Sequence, residues 1–521
     1  MKLKKWHILG IIFIIALAVR FYYFKQNIYF GFDEARDALV AENIYLKGDF
    51  KLIGPPASGN TGLFHRPSFW DMVGPLYLLA GGNLYIVSAV FRIINALGIF
   101  LVFAIAKKLF SKKAGYVAAF LYAISFEQSQ YAIYFSKEAL ALICWLIIML
   151  IVVSIYKKEN RTKIWGLPII SLCFGLMIQF NIIYAGFGLG IIALFCLIFP
   201  QLKQIKLKSW ILAILAFGVT MSTFIVAELK YNFREIKTAI NLIHGGFGVM
   251  NAGQSKYSLF WDKYLTMFRD NLVGLSLDIN WQRVVIACVA IVFTAWLVIS
   301  AIKDKKYAIL LAWLFTWVGI MLAGGHLGYY TNIALSVSIL IGVGVILDKI
   351  ENKNLLIWII LLGIIISNGL LIYDRRDKGL ITTIKPQPYM NLVDERKIID
   401  QMYTEAAGRG FTLRLTGIPY RIQTVWYYLL NQYGYKKYGY FPYWEHGNVL
   451  GYPGELPVPT NGTTCLRFLV REPMRGLPVD LVELDEKDEN YFSTIIDRKE
   501  IGQFTIEERI ALAKDCHNRK P

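Results

Sequence analysis

Apolar residues in this chain gather into long, nearly unbroken runs rather than the short alternating segments of a soluble fold. Eleven runs approach the roughly 17 to 25 residues that an α-helix needs to cross a hydrocarbon core. They are His7–Phe24, Leu84–Ala106, Gly115–Gln130, Ala139–Tyr156, Ile164–Phe180, Ile182–Phe199, Trp210–Ala227, Val284–Ile302, Tyr307–Ala323, Tyr329–Leu347 and Leu355–Tyr373. On one side of these runs two connections are long, Lys25–Asn83 and Glu228–Arg283, and the others are tight turns. Within the first long connection Phe32, Ala35, Leu39 and Val40 recur at near-helical spacing, which predicts an amphipathic helix lying at the membrane surface. Pro67 in the following His65-Arg66-Pro67 suits the first turn of a second interfacial helix. After Tyr373 the pattern turns polar and rich in Pro, Gly and Tyr. There Thr412–Thr416 and Cys465–Val470 read as strands and Glu395–Ala407 as a helix.

Composition agrees: of 521 residues, 56% are hydrophobic and 18% charged, with a mean hydropathy of +0.46, which excludes a soluble globular chain of this size. The net charge is +18, and its distribution matters more than its size. With Met1 in the cytoplasm, the six inner segments hold 19 Lys and Arg against four acidic residues, so they carry +15 of the net charge. That positive-inside asymmetry sets the orientation, and an odd number of spans places the C-terminus outside. No nucleic-acid partner is needed to explain the basic residues. The first run begins like a signal peptide but lacks a small-residue cleavage motif, and reads as a retained span. Of six cysteines, Cys144, Cys173, Cys196 and Cys288 lie inside apolar runs, which excludes a disulfide scaffold or thiolate zinc cluster and leaves Cys465 and Cys516 able to pair. The expected architecture is an α-helical multi-pass membrane protein of about 11 transmembrane helices with interfacial helices in its outer loops. Residues 1–373 form the transmembrane domain and 374–521 a C-terminal mixed α/β extracytoplasmic domain.

Long ordered loops carry function more often than tight turns do, and the candidate chemistry collects on the outer side. The first loop supplies Asp33, Glu34, Arg36 and Asp37, then His65 and Arg66. The connection between the third and fourth spans supplies Lys137 and Glu138, the second long loop Arg234, His244 and Arg269, and the ninth-to-tenth connection His326, Tyr329 and Tyr330. Each has a plainer reading: adjacent acids on a surface helix suit a solvated face, and Arg66, Lys137 and Arg269 suit lipid-headgroup anchors. Arg92, inside the second span, suits a structural ion-pair partner. The Tyr433–Trp444 run suits carbohydrate stacking, the membrane interface, or packing on its own core, and Asn461-Gly462-Thr463 matches the glycosylation sequon.

The order of these pieces over roughly the first 350 residues resembles the C-type membrane glycosyltransferases. The resemblance is to the group containing protein O-mannosyltransferases and the lipid A aminoarabinose and galacturonic acid transferases. It rests on Phe32-Asp33-Glu34-Ala35-Arg36-Asp37, Phe64-His65-Arg66-Pro67, Phe91-Arg92 with Asn95, Tyr134 to Glu138, and His326 to Tyr330 before a Gly-rich tenth span. What it implies is transfer of a sugar from a polyprenyl-phosphate donor to a glycan, lipid or protein acceptor at the outer face of the cell membrane. By position, Asp33 matches the family's catalytic carboxylate and Glu34 follows it. Arg66 stands where relatives have Lys or another polar residue before proline, near the lipid phosphate. Glu138 falls where many relatives have Asp, and Tyr330 near a tyrosine implicated at the phosphate. The resemblance thus implies Asp33, Glu34 and Glu138 as catalytic, and Arg66, Lys137 and Tyr330 as donor-phosphate ligands. His65, Arg36, His244, Arg269, His326 and Tyr329 are further substrate-binding candidates.

The chemistry fits these residues independently. A glycosidase needs a second carboxyl to protonate an alkoxide leaving group, whereas a sugar phosphate releases a stable phosphate anion. One base for the acceptor and cations for the phosphate suffice, and Asp33 with Arg66 and Lys137 supplies that set. Neighbours on a helix point about 100° apart, so Asp33 and Glu34 would not sandwich one sugar; one acts and the other supports. Oligosaccharyltransferases of the same broad fold hold a divalent ion on dispersed carboxylates, and Asp33, Glu34 and Glu138 could supply such oxygens. With basic phosphate ligands present, no metal or other cofactor is expected. The alternatives are a transporter or flippase of lipid-linked saccharides, which would place ionisable residues near the midplane of repeated halves, and a surface-polysaccharide polymerase or ligase.

Overall fold

The computed structural model describes residues 5–48, 50–56, 62–245, 256–322, 334–350, 354–381, 384–385, 387–445, 449, 462–475 and 477–512. The chain divides into two compact units, each assembled from separate stretches of sequence. The first is Met1–Tyr22, Lys51–Phe69 and Ala89–Asp374; the second is Tyr23–Phe50, Trp70–Ser88 and Arg375–Pro521.

The first unit is helical. Among the described residues, five helices are long and apolar enough to cross a membrane: Leu84–Leu109, Lys137–Tyr156, Thr162–Phe180, Asn280–Lys303 and Leu355–Asp374. Leu207–Thr220 and Ser222–Lys230 make a sixth if taken as one span bent by 58°. The described residues of the other five apolar runs are carried by shorter helices, and in Gly115–Gln130 the interruption is a local signal that hydropathy does not weigh. That signal is Ser125. Its side chain accepts from the Gln128 amide and starts a new helix, Phe126–Ile133, after Lys112–Ile124 has ended. Glu127, Gln128, Ser129 and Gln130 on that second helix are buried, not exposed at an outer mouth. They are met by polar partners: Asn271 donates to Glu127 at 2.8 Å, and Ser125 donates to Asn271 at 2.7 Å. Arg92 likewise points inward and donates to the Arg20 carbonyl, while Arg20 reaches Asn95 at 2.8 Å.

Small residues let these helices approach closely, as in other membrane bundles. A Cβ on Gly175 would lie 2.0 Å from Thr220 Oγ1, and one on Gly344 would lie 2.8 Å from the Ala114 carbonyl oxygen. Either addition would force two helices apart.

The second unit carries a five-stranded mixed sheet. Its strands are β1 (Thr412–Thr416), β2 (Tyr443–Trp444), β3 (Leu466–Arg471), β4 (Ser493–Ile501) and β5 (Phe504–Ala511), in the order β2-β1-β3-β5-β4. β1 runs parallel to β2 and β3, and β5 is antiparallel to β3 and β4. β1 and β3 were legible as strands although each carries a buried arginine, and the helix Val479–Phe492 explains how. It meets Arg414 with Asp485 at 2.8 Å and Arg467 with Glu489 at 2.6 Å, so both guanidinium groups are paired. The helix Leu392–Ala406 receives the aromatic run: Tyr438 stacks on Tyr403 at 4.3 Å, and the Tyr433 and Tyr438 hydroxyls donate to Asp400. That run therefore packs on its own unit. Cys144, Cys173, Cys196 and Cys288 are free thiols and Cys465 is disulfide-bonded; Cys516 lies outside the described residues.

Candidate active site

The first-loop motif folds as the helix Phe32–Lys47, in the second unit. Glu34, in its first turn, reaches back to accept from the Gly31 amide at 3.1 Å and so closes the helix N-terminus. That use turns Glu34 inward, where its side chain is 1% exposed, while Asp33, one position earlier, keeps 39% of its side chain exposed. The two acids thus occupy different environments, as neighbours on a helix must. Arg36 bridges Asp33 Oδ1 at 2.9 Å and Asp37 Oδ1 at 2.8 Å.

A residue that sequence reasoning did not single out completes this cluster. Lys385 donates through Nζ to Asp33 Oδ2, and the same nitrogen lies 3.8 Å from Glu34 Oε1. Burial pushes the Glu34 carboxyl up to about 7; the Lys385 ammonium opposes that push and the Asp33 charge adds to it. Burial disfavours the Lys385 ammonium, but the Asp33 and Glu34 charges outweigh it and hold the lysine above its ordinary range. Further along the same helix Glu42 accepts from the Tyr428 hydroxyl at 2.6 Å and from Gln432 at 3.0 Å, and burial pushes its carboxyl up to about 7.

The first unit holds a second cluster. Arg66 is buried, lies 2.8 Å from Glu235 and 4.0 Å from Glu228, and covers the Phe224 ring at 4.4 Å. Burial lowers the Arg66 pKa and the two glutamates resist that. Lys137 places its ammonium 3.1 Å from the His65 ring, so the residues before Pro67 and the start of the Lys137–Tyr156 helix meet. Glu138 is buried; Ser136 donates to its Oε2 and Asn181 approaches its Oε1 at 3.4 Å. Arg269, in a π-helical turn, forks onto Asp270 at 2.6 and 3.0 Å.

His326, Tyr329 and Tyr330 lie outside the described residues, as does the side chain of His244 on the Arg234–Gly245 helix. Among the described residues no group of three or more His, Cys, Asp or Glu side chains is arranged to hold a metal ion. Glu228 and Glu235 could have been found as acids in the second long loop, but nothing in their spacing ties them to Arg66. Lys385 had no local signal at all, being 352 positions from Asp33.

The family model for dolichyl-phosphate-mannose-protein mannosyltransferases matches residues 72–226. No curated protein matches the chain by sequence. Among solved structures, the fold is similar to that of ArnT from Cupriavidus metallidurans bound to undecaprenyl phosphate, at 12% identity and a TM-score of 0.61, covering 99% of this chain and 100% of that one. The archaeal oligosaccharyltransferase AglB from Archaeoglobus fulgidus, in complex with an inhibitory peptide and a dolichol-phosphate, matches at 13% identity and a TM-score of 0.48, covering 96% of this chain and 74% of that one.

Proposed function

We infer that this chain is a C-type membrane glycosyltransferase that transfers a sugar from a polyprenyl-phosphate donor to an acceptor hydroxyl at the outer face of the membrane, a reading supported by the family match over residues 72–226 and by the similarity in fold. The observation that carries the reading is the half-exposed Asp33 carboxylate, flanked by Arg36 and Lys385, at the start of the first-loop helix. In the reaction Asp33 accepts the proton of the acceptor hydroxyl as that oxygen bonds to the anomeric carbon. The bond from that carbon to the phosphate oxygen breaks, and its electron pair leaves with the polyprenyl phosphate. Arg66, Lys137 and Tyr330 are assigned to the departing phosphate, which needs positive charge and no proton. Glu34 supports by fixing the helix start, and Glu138 is the second acid of the set. The undecaprenyl phosphate in the ArnT structure is the carrier class this reading assigns. Because cations already serve the phosphate, turnover is expected to survive a chelator.

Liposomes containing the purified protein and undecaprenyl phosphate bearing tritiated mannose or 4-amino-4-deoxyarabinose, supplied with membrane extract as acceptor, test the reaction class. Transferase action predicts loss of label from the lipid and appearance of free undecaprenyl phosphate. Passage of intact donor across the bilayer, with the label still on the lipid, would support a transporter instead.

A further inference from the structure

We propose that the chain after the last apolar run contributes to the catalytic apparatus through Lys385, a positioning residue whose ammonium aims the Asp33 carboxylate and keeps it ionised for proton transfer. This rests on the reading of Asp33 as base and adds to it a residue from beyond the last apolar run.

The geometry is specific. Each Asp33 oxygen meets a different cation, Oδ1 the Arg36 guanidinium at 2.9 Å and Oδ2 the Lys385 ammonium. A carboxylate held at both oxygens cannot rotate freely about its last torsion, so its remaining lone pairs point in a set direction. Lys385 is only 8% exposed, so the ammonium is not a surface charge that happens to lie nearby. The segment that follows it is held at two places. The Phe30 amide donates to the Met390 carbonyl at 2.8 Å and the Leu392 amide to the Ile28 carbonyl at 2.9 Å, which ties the segment to the residues just before Asp33. Gln387, two residues after Lys385, donates to Glu472 at 3.0 Å and to the Pro473 carbonyl at 3.3 Å, directly after β3. Glu472 is itself held by the Trp426 indole and the Ile418 amide, each at 3.1 Å. Hydrogen bonds therefore tie the segment that follows Lys385 both to the end of β3, the central strand, and to the residues just before Asp33. The charged and titratable groups that face the lysine or its carboxylates include Asp33, Glu34, Tyr29, Arg36, Asp37, Tyr77 and Glu395.

A cation beside a carboxylate favours the ionised form, so removing it should make Asp33 protonate at higher pH. The test is carbodiimide labelling of Asp33, which requires the protonated carboxyl, followed against pH by mass spectrometry in the full-length protein. Lys385→Met should raise the labelling midpoint by about one unit or more, and the acid limb of the pH–rate profile should move with it. Lys385→Arg, which keeps the charge, should leave the midpoint near that of the wild type. Gln387→Ala retains the lysine but cuts its tether to Glu472, and should shift the midpoint the same way by less. It serves as the second variant if Lys385→Met does not fold. Equal midpoints for the wild type and Lys385→Met, or for the wild type and Gln387→Ala where only that variant folds, would overturn the inference. Asp33→Asn separates the layers: if that variant still turns over, the base assignment fails. If it is inactive while the labelling midpoint ignores Lys385, only this inference fails.

Discussion

Asp33 and Glu34 are adjacent in sequence and unlike in circumstance, and the difference sets what each substitution should do. Asp33→Asn should abolish transfer, and because it also weakens the partner of the buried Lys385 ammonium, it should cost roughly 1 kcal/mol of stability. Turnover and thermal unfolding of the purified variant check both halves. Glu34→Gln retains an acceptor for the Gly31 amide and should lower turnover far less. Glu34 and Glu42 also give stability a pH dependence. Both carboxyls are pushed up to about 7 in the folded chain, against roughly 4.3 when unfolded. Folding therefore takes up protons between those values. Their contribution is most favourable below about pH 4.3, declines as pH rises, and levels off above about 7. Glu42→Gln should remove part of that decline, so its unfolding temperature relative to the wild type should be higher at pH 8 than at pH 5. A constant difference between the two pH values would contradict the assignment. Asp33 could be singled out as a candidate because the motif around it is local, whereas Lys385 reaches it across 352 positions and only the folded chain joins them.

Arg66 belongs to the scale of elements, because its partners Glu228 and Glu235 sit on helices more than 160 positions later. Arg66→Ala would leave two buried glutamates without their counter-ion, at a cost of about 3 to 5 kcal/mol, while Arg66→Lys should recover much of it. Combining Arg66→Ala with Glu235→Gln should restore stability without restoring use of the donor. If the double variant regains wild-type donor dependence, Arg66 is a structural cation and not a phosphate ligand. Periodicity found the apolar helices well where a run is uninterrupted, as in Lys137–Tyr156. It did not signal the break at Ser125 or the bend between Leu207–Thr220 and Ser222–Lys230, since hydropathy averages over the single residue that starts a new helix. The strands β1 and β3 were recognisable from their apolar neighbours. The hairpin of β4 and β5 was not, because Asp497, Arg498, Lys499 and Glu500 interrupt its apolar pattern.

For the whole molecule, we propose from the positive-inside count that the segment after Tyr373 lies on the outer side of the membrane. Glu483→Cys, on the exposed face of the Val479–Phe492 helix, should react with a membrane-impermeant thiol reagent in intact cells, in a background lacking the exposed thiols Cys196 and Cys288. Protection until lysis would reverse the orientation. The central claim is that Asp33 activates an acceptor against a lipid-phosphate sugar, and its most direct test is single-turnover discharge of undecaprenyl phosphate bearing tritiated mannose or 4-amino-4-deoxyarabinose by purified wild type and Asp33→Asn, each with membrane extract and with or without chelator. The account predicts that the wild type releases undecaprenyl phosphate equally in both conditions and that Asp33→Asn, folded and saturated with donor, releases none; discharge by Asp33→Asn at near the wild-type rate would contradict it.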